Sequence, residues 1–598
     1  MRDVSATRRS RVWRRAVFWA FLALWAGIAY WQTNKPMPPG THVDSAWAPI
    51  TPRDVTFIAD ITSADAYGRQ NSSQAIFDEV LGVIRSAHKF IVLDYFLFNS
   101  TLGNGAGAPP AFRQLSGELR DALIERRRND PELQVLFITD PINEVYGGVS
   151  SRDLRLLRAA GVQVVVTDLD VLRDSNFIYS SLWRLGIKWW AGGNDHGPAP
   201  HDADSGWLPN PLDESADPIS FGDWTRLLNF KANHRKVVIA DDGRDGLVTI
   251  VGSANPHDAS SAHSNVALKI AGAATLPLLE SELQVARFSG WTGQLPAAAN
   301  IASTGNAGSA PNAGSSSIPG AAASAGANGQ SAPAAASVGA NGRAIPATTS
   351  VGANGRAAPA TASVGANGSV ASAATVSRGA SRSAAAAHST SAPSAANTDD
   401  GRLKVVTEGG ILAELLERID ASRRGDNIDI AMFYVADRAV IESLLAASRR
   451  GVAVRLIMDP NKDAFGHTKT GIPNQPVASE LVAASDGAIH VRWYRTHGEQ
   501  FHTKLAMIYN PTRFWLTVGS ANFTRRNLAD YNLEANLVLE LPRTTAVAQQ
   551  TVDYFESLWS NRASLGIEYT ADFGSYADPS QFHYWVYRVM EGTGASTF

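Results

Sequence analysis

One phrase occurs twice in this sequence. "NHRKVVIADD" carries His234 and Lys236, and "FHTKLAMIYN" carries His502 and Lys504. Each runs from histidine-x-lysine into β-branched or apolar residues, the pattern of a strand. Residues two apart share a face on a strand but diverge on a helix, so each pair projects together only from extended chain. Each phrase is followed by "VGSAN", giving Ser253 and Asn255 in the first copy and Ser520 and Asn522 in the second. The asparagine lies 21 and 20 residues beyond its histidine. A lone histidine-x-lysine is ordinarily a surface or core pair, and a lone Gly-Ser-x-Asn an ordinary turn. Both together, twice, at matching offsets, require a fold that builds one unit two times.

The flanks repeat as well. Upstream, "SSQAIFDEVLGVIRSA" has helical spacing and leads to the strand-like "KFIVLDYFLF"; "FRQLSGELRDALIERRR" then leads to "LQVLFITDP". Downstream, "GGILAELLERIDASRR" leads to "IDIAMFYV", and "DRAVIESLLAASRRG" to "VAVRLIMDP". Both second strands end in Asp-Pro, at Asp140 and Asp459. Helices alternating with strands predict duplicated α/β lobes with parallel or mixed sheets flanked by helices. We place the lobes at 50–295 and 401–590. The first is longer, by an insert containing Trp183, Trp189, Trp190 and Trp207, which are expected to pack it onto the lobe. Its Asp195, His196, His201, Asp202 and Asp204 have no metal-ligand spacing and read as solvated loop residues.

Residues 296–400 separate the lobes. Up to Thr398 the segment has no acidic residue and no Phe, Trp or Tyr, and it repeats with a period of 13, as in "SVGANGRAIPATT" from Ser337 and "SVGANGRAAPATA" from Ser350. Such a composition cannot bury enough apolar surface to offset chain entropy, so a disordered tether is expected. At the other extreme, six arginines within residues 1–15 precede the uncharged stretch Ala16–Trp31. This predicts a segment over 16–34 that either stays as a single anchor in the inner (cytoplasmic) membrane or is cleaved as a signal at "GIA". In both cases the arginines remain cytoplasmic and the lobes lie outside, membrane-bound in the first case and periplasmic or secreted in the second.

The absence of cysteine excludes thiolate metal sites, thiol nucleophiles and disulfides. Two histidines, two lysines and two asparagines without evident metal ligands fit phosphoryl transfer at a diester. One imidazole attacks phosphorus, and the other protonates the departing alcohol and then deprotonates the incoming water or alcohol. Lysines and asparagines stabilise the non-bridging oxygens, so no metal and no cofactor is required.

The paired phrases resemble the HxKxxxxD…GSxN signatures of the phospholipase D superfamily, which includes phospholipases D, cardiolipin and phosphatidylserine synthases, and some nucleases. The resemblance implies that the copies meet at a pseudo-twofold axis and share one active site working through phosphohistidine. It assigns attack to His234 and acid/base work to His502, with Lys236 and Lys504 catalytic and Ser253, Asn255, Ser520 and Asn522 on the substrate phosphate. The copies differ in two places. The motif's aspartate is Asp241 in the first, read as structural support on the opposite face from Lys236, and Tyr509 in the second. Glu534 stands where family members often carry a histidine-orienting carboxylate; the first copy has Asn265 there.

These features predict a membrane-associated phospholipid phosphodiesterase or phosphatidyltransferase. An endonuclease of the same superfamily would need a basic groove. The net charge of -3 gives no basic field, and the cluster Arg126–Arg128 at a helix end reads as a solvated face. Nucleic acid is therefore disfavoured as a partner, while phospholipid and membrane are expected. A non-catalytic scaffold is disfavoured because all six motif residues are kept. Head group, acceptor and protein partners are not written in the motifs.

Overall fold

The computed structural model describes residues 4–65, 67–101, 112–190, 206–210, 217–243, 246–295, 401–464, 467–562 and 566–598. The tether expected over 296–400 and the insert's Asp195, His196, His201, Asp202 and Asp204 lie outside the described residues. In chain order the strands of the first half are β1 (Ala48–Ile50), β2 (Val55–Asp60), the hairpin β3 (Thr62–Ala64) and β4 (Gln70–Ser72), β5 (Phe90–Tyr95), β6 (Gln134–Thr139), β7 (Gln163–Val166), β8 (Lys236–Asp241), β9 (Leu247–Gly252) and β10 (Asn265–Ala271). Those of the second half are β11 (Gly401–Thr407), β12 (Asn427–Met432), β13 (Ala453–Met458), β14 (Asp463–Ala464), β15 (His467–Thr468), β16 (Ile489–Tyr494), β17 (Lys504–Tyr509), β18 (Arg513–Gly519), β19 (Ala535–Pro542) and β20 (Thr570–Asp572).

A seven-stranded sheet in the order β2-β10-β9-β8-β5-β6-β7 forms the first lobe, and a nine-stranded sheet in the order β1-β11-β19-β18-β17-β12-β13-β16-β20 forms the second. Without its edge strands β1 and β20, the second order repeats the first strand for strand. β5, β6 and β7 are parallel, as are β12, β13 and β16; the other pairings are antiparallel. Helical crossovers make the parallel steps, as parallel neighbours require: Leu115–Asn129 and Arg152–Ala159 in the first lobe, Arg438–Arg449 and Asn474–Ala484 in the second. Asp437 caps the third of these by accepting from the Val440 N–H at 3.1 Å.

Alternation along the strands assigns the faces. Phe90, Val92, Val237 and Ile239 join Leu505, Met507, Leu516 and Leu537 in one core that both lobes share. Ile91, Leu93 and Val238 point the other way, onto Ile76, Val80, Leu119 and Leu123 of the first lobe's helices. Ile428 and Ile430 meet Ile411, Leu415, Val440 and Leu444 in the same way. A fully buried side chain of these types contributes about 1.5–3 kcal/mol, so the common core binds the lobes as firmly as each is bound within itself.

Asp241 takes the supporting position read from the sequence. Its carboxylate accepts from the backbone N–H groups of His88, Lys89 and Phe90 and from Gly243, closing the turn from the helix Ala75–Ser86 into β5. In the second lobe the turn closes itself, because Asp426 accepts from Arg423 N–H at 2.8 Å. Tyr509 is thereby released from that duty, and its hydroxyl donates to Asp429 at 2.9 Å. The insert's tryptophans divide: Trp183 packs as expected and donates to Thr225 Oγ1 at 3.2 Å, whereas Trp189 and Trp207 are 79% and 71% exposed.

Arg235, between His234 and Lys236, points to the lobe interface and is fully buried. It bonds Glu282 of the first lobe at 3.2 Å and Glu408 of the second at 2.7 Å. Removing the cation would strand two buried carboxyls. Arg235→Ala should therefore cost about 3–5 kcal/mol of stability, and Arg235→Met, which refills the volume, less; urea unfolding of the detergent-solubilised protein measures both.

Candidate active site

β8 begins at Lys236 and β17 at Lys504, so each histidine lies just ahead of its strand rather than within it. The reason is that the chain there leaves its own sheet to pair with the other lobe. Asn233 forms a parallel bridge with Leu533, and Ser264 with Phe501. The His234 N–H donates to the Leu533 carbonyl and the His502 N–H to the Ser264 carbonyl, both at 2.9 Å. The two crossings are equivalent, and they bring the two copies of the repeated phrase to one place.

Acids at the strand ends fix these crossings. Asp140 accepts from the Asn233 N–H at 2.7 Å and Asp459 from the Phe501 N–H at 2.7 Å, one residue ahead of each histidine. The matching Asp-Pro dipeptides, which the sequence offers as a mark of the repeat, thus acquire a structural purpose. Burial raises both carboxyls, to about 7 in each case. Asn143 and Asn474 repeat the correspondence, each donating to the carbonyl of the aromatic residue, Phe96 or Phe433, that packs edge-on against a histidine.

Each imidazole is oriented by the opposite lobe. His234 Nδ1 lies 2.8 and 3.1 Å from the two oxygens of Glu534. Burial alone would raise the Glu534 carboxyl, but His234, Lys236 and Ser520 outweigh it and keep it below the ordinary range. An ionised carboxylate only accepts, so Nδ1 carries the proton and Nε2 presents its lone pair. His502 Nδ1 lies 3.1 Å from Asn265 Oδ1, with the same consequence for its tautomer. Glu534 therefore serves His234 and Asn265 serves His502, an allocation that the sequence leaves open.

Ser253 donates to Asn265 Oδ1 at 3.0 Å, and Ser520 donates to Glu534. Each hydroxyl also accepts from a backbone N–H, of Val266 or Ala535, at 3.0 Å. Neither serine has a proton left for a phosphate oxygen, contrary to the phosphate-binding part expected of them. They hold the residues that hold the histidines. Asn255 Oδ1 accepts from the Leu97 N–H at 3.3 Å, whereas Asn522 Oδ1 is buried with no partner among the described residues.

The electrostatics are those of a site built around an anion. Lys236 and Lys504 donate to the carbonyls of their own histidines at 2.6 and 3.0 Å, and each lies over a phenylalanine, Phe96 or Phe433. Burial lowers Lys236 to about 7; burial and then the Lys236 charge push Lys504 well down. His234 falls to about 4 because burial outweighs the Glu534 charge. His502 is lowered by burial, then by Lys504, His263, Lys236 and His234, the last two from the other half of the site. Burial thus lowers the proton affinity of all four bases, and neighbouring positive charge adds to the effect for His234, His502 and Lys504.

Sequence inspection missed Arg235, and it missed His263. The His263 ring lies 5.8 Å from that of His502, and its Nδ1 accepts from the Gln500 N–H at 3.2 Å. Asn532 is its counterpart, accepting from the Ala232 N–H at 3.2 Å. Their shared position two residues before Asn265 and Glu534 was the available signal.

Among known families, the one described as "Cardiolipin synthase, PLD-like domain" matches residues 415–559. The second lobe is a phospholipase D-like domain. The first lobe has the same signature residues at equivalent places, His234, Lys236, Ser253 and Asn255. No curated protein matches the sequence. Similar solved structures include phosphatidylserine synthase from Haemophilus influenzae Rd KW20, at 10% identity and TM-score 0.46, covering 93% of this chain and 96% of that one. Nuc from Salmonella typhimurium, a phospholipase D family member, is 17% identical with TM-score 0.23, covering 29% of this chain and 97% of its own. Polyphosphate kinase from Porphyromonas gingivalis is 11% identical with TM-score 0.36, covering 91% and 56%.

The Glu534 charge favours the imidazolium of His234. Glu534→Gln should therefore move the His234 midpoint below about 4, and Asn265→Asp should raise that of His502. Histidine nitrogen NMR of the detergent-solubilised protein reads both shifts.

Proposed function

We propose that the protein is a membrane-anchored phosphodiesterase or phosphatidyltransferase that acts on phospholipids through a covalent phosphohistidine. The observation that carries this reading is the convergence of His234, Lys236, His502 and Lys504, with one histidine backed by a carboxylate and the other by an amide. His234, oriented by Glu534, attacks phosphorus with Nε2. The bond to the departing alcohol breaks, and His502 gives that alcohol its proton. His502 then takes a proton from water or an acceptor alcohol, whose oxygen attacks the phosphohistidine and frees His234. Lys236 and Lys504 hold the non-bridging oxygens, with Asn255 and Asn522 beside them.

The depressed bases give the cycle its timing. A diester brings the negative charge that the site lacks, so its arrival restores the proton affinity of His502 and of the lysines together. A charged general acid then coincides with a bound substrate. Water and alcohol differ only in the second half-reaction, so hydrolysis and transfer use the same machinery.

Two observations support a lipid rather than a nucleic acid. The helix Val4–Asn34 contains a 24-residue stretch, Arg11–Asn34, long and apolar enough to cross a membrane. With its arginines on the cytoplasmic side, the lobes and the site lie outside the cytoplasmic membrane. In the cluster at Arg126–Arg128, two of the three arginines are engaged by backbone, Arg126 donating to the Ala87 carbonyl and Arg127 to those of Pro131 and Leu133.

The test uses the full chain with detergent-dispersed phosphatidylglycerol labelled with ³²P, with and without chelator. Wild type should form an acid-labile ³²P adduct and release head group or make cardiolipin. His234→Ala should lose both adduct and product, and His502→Ala should slow turnover by about 10²–10⁴. Cleavage of plasmid DNA with lipid untouched would replace this reading with the endonuclease; inertness toward both would leave a binding scaffold.

A further inference from the structure

The helix Gln581–Thr593 is amphipathic, but its apolar face is turned outward. Tyr587 and Glu591 are buried, and Tyr584 and Met590 pack on the second lobe's core. Phe582, Trp585 and Val589, at i, i+3 and i+7, occupy the opposite face and are 72%, 61% and 60% exposed. Large side chains at helical spacing are ordinarily buried, so a contiguous exposed row needs an apolar partner.

A second row stands beside it. The helix Phe177–Leu182 continues through a π-turn at Trp183–Ile187 into Lys188–Trp190. Ile178 and Leu182 are each 41% exposed, and Trp189 is 79% exposed. The rows meet where Gly594 abuts Ser175, so closely that a Cβ would fall 2.0 Å from the Ser175 carbonyl oxygen.

The second row adjoins the apolar helix. Trp25 Nε1 donates to the Ile178 carbonyl at 3.3 Å, the Asp174 N–H to the Gln32 carbonyl at 3.0 Å, and Arg173 Nε to the Lys35 carbonyl at 2.7 Å. The segment that follows the first row adjoins the residues around the site. Arg526 binds the carbonyls of Gly594 and Ser596 and lies over Phe230, four residues before His234. Phe598 packs against Tyr434, the neighbour of the Phe433 that touches His502.

We propose that the two rows are a bilayer-docking surface: Ile178, Leu182 and Trp189, with Phe582, Trp585 and Val589, enter the boundary between head groups and acyl chains of the membrane that the apolar helix crosses. This holds the entrance of the active site against the lipid through a contact additional to that of the anchor. The inference rests on the membrane-anchored lipid enzyme proposed above and names the surface through which it meets its substrate.

The chain has no cysteine, so single-cysteine probes need no background removal. Full-length Val589→Cys and Leu182→Cys, each carrying an NBD fluorophore, are placed in phosphatidylglycerol-containing nanodiscs beside Leu156→Cys on the helix Arg152–Ala159. Probes at 589 and 182 should be blue-shifted and quenched several-fold more than the probe at 156 by lipid carrying a nitroxide near the acyl carbonyl. Equal quenching at the three positions overturns the proposal. So does a blue shift that grows with protein per disc and is insensitive to the quencher, which assigns the rows to a second copy of the chain. Quenching needs no turnover, so a protein that docks but leaves lipid intact defeats the activity and not the surface. As a second arm, the triple variant Phe582→Ser, Trp585→Ser, Val589→Ser should lose about tenfold in turnover of bilayer phosphatidylglycerol while keeping its rate on a soluble short-chain analogue. Equal loss on both substrates overturns the proposal.

Discussion

Everything in the site depends on two short backbone crossings, Asn233 with Leu533 and Ser264 with Phe501. Each is a single parallel bridge, yet each sets the position of a histidine in one lobe and of its orienting residue in the other. A crossing so short needs reinforcement, and the structure supplies it in two ways. A common apolar core runs between the sheets, and buried carboxylates at Asp140 and Asp459 grip the backbone one residue ahead of each histidine. The imidazoles are thus held by backbone geometry before any side-chain bond is considered.

The same region concentrates buried charge to an unusual degree. Arg235 with Glu282 and Glu408, Asp94 on Asn233, and the His234–Glu534 pair lie within a few residues of one another along the crossings. Desolvating so many ionisable groups is unfavourable in itself. The cost is offset by opposite charges paired across the lobe boundary, Arg235 with Glu408 and His234 with Glu534. His234, Lys236, His502 and Lys504 lie in the same region, and burial lowers the proton affinity of each. A site of this kind is preorganised for an anion and strained without one.

Much of this was legible in the sequence. The alternation of helices and strands gave the two sheets, since strong amphipathic runs such as "DRAVIESLLAASRRG" and all-apolar runs such as "IVLDY" leave little choice of element. The paired phrases picked out the four residues that the fold brings together, and the parity of Asp241 relative to Lys236 gave its supporting position. The strand that seemed to begin at His234 begins two residues later, because pairing with Leu533 is a tertiary event that no local pattern encodes. The serines were misjudged for a similar reason: whether a hydroxyl faces substrate or a neighbouring carboxylate depends on residues 12 and 14 positions away. Arg235 draws no reading from its strand alone, because one of its two carboxyl partners, Glu408, comes from the second lobe. The outward tryptophan at 189 could not be told from a packed one by composition.

The reciprocal wiring of the histidines has a bearing on why both halves belong to one polypeptide. Two identical subunits meeting at a true twofold would each offer the same residue to the other's imidazole, so both histidines would carry a carboxylate or both an amide. Fusing the halves removes that obligation. Glu534 and Asn265 could then drift apart, one favouring a nucleophile and the other a proton donor, without either change being copied across the axis. Covalent linkage is in this sense what permits division of labour between chemically equal groups.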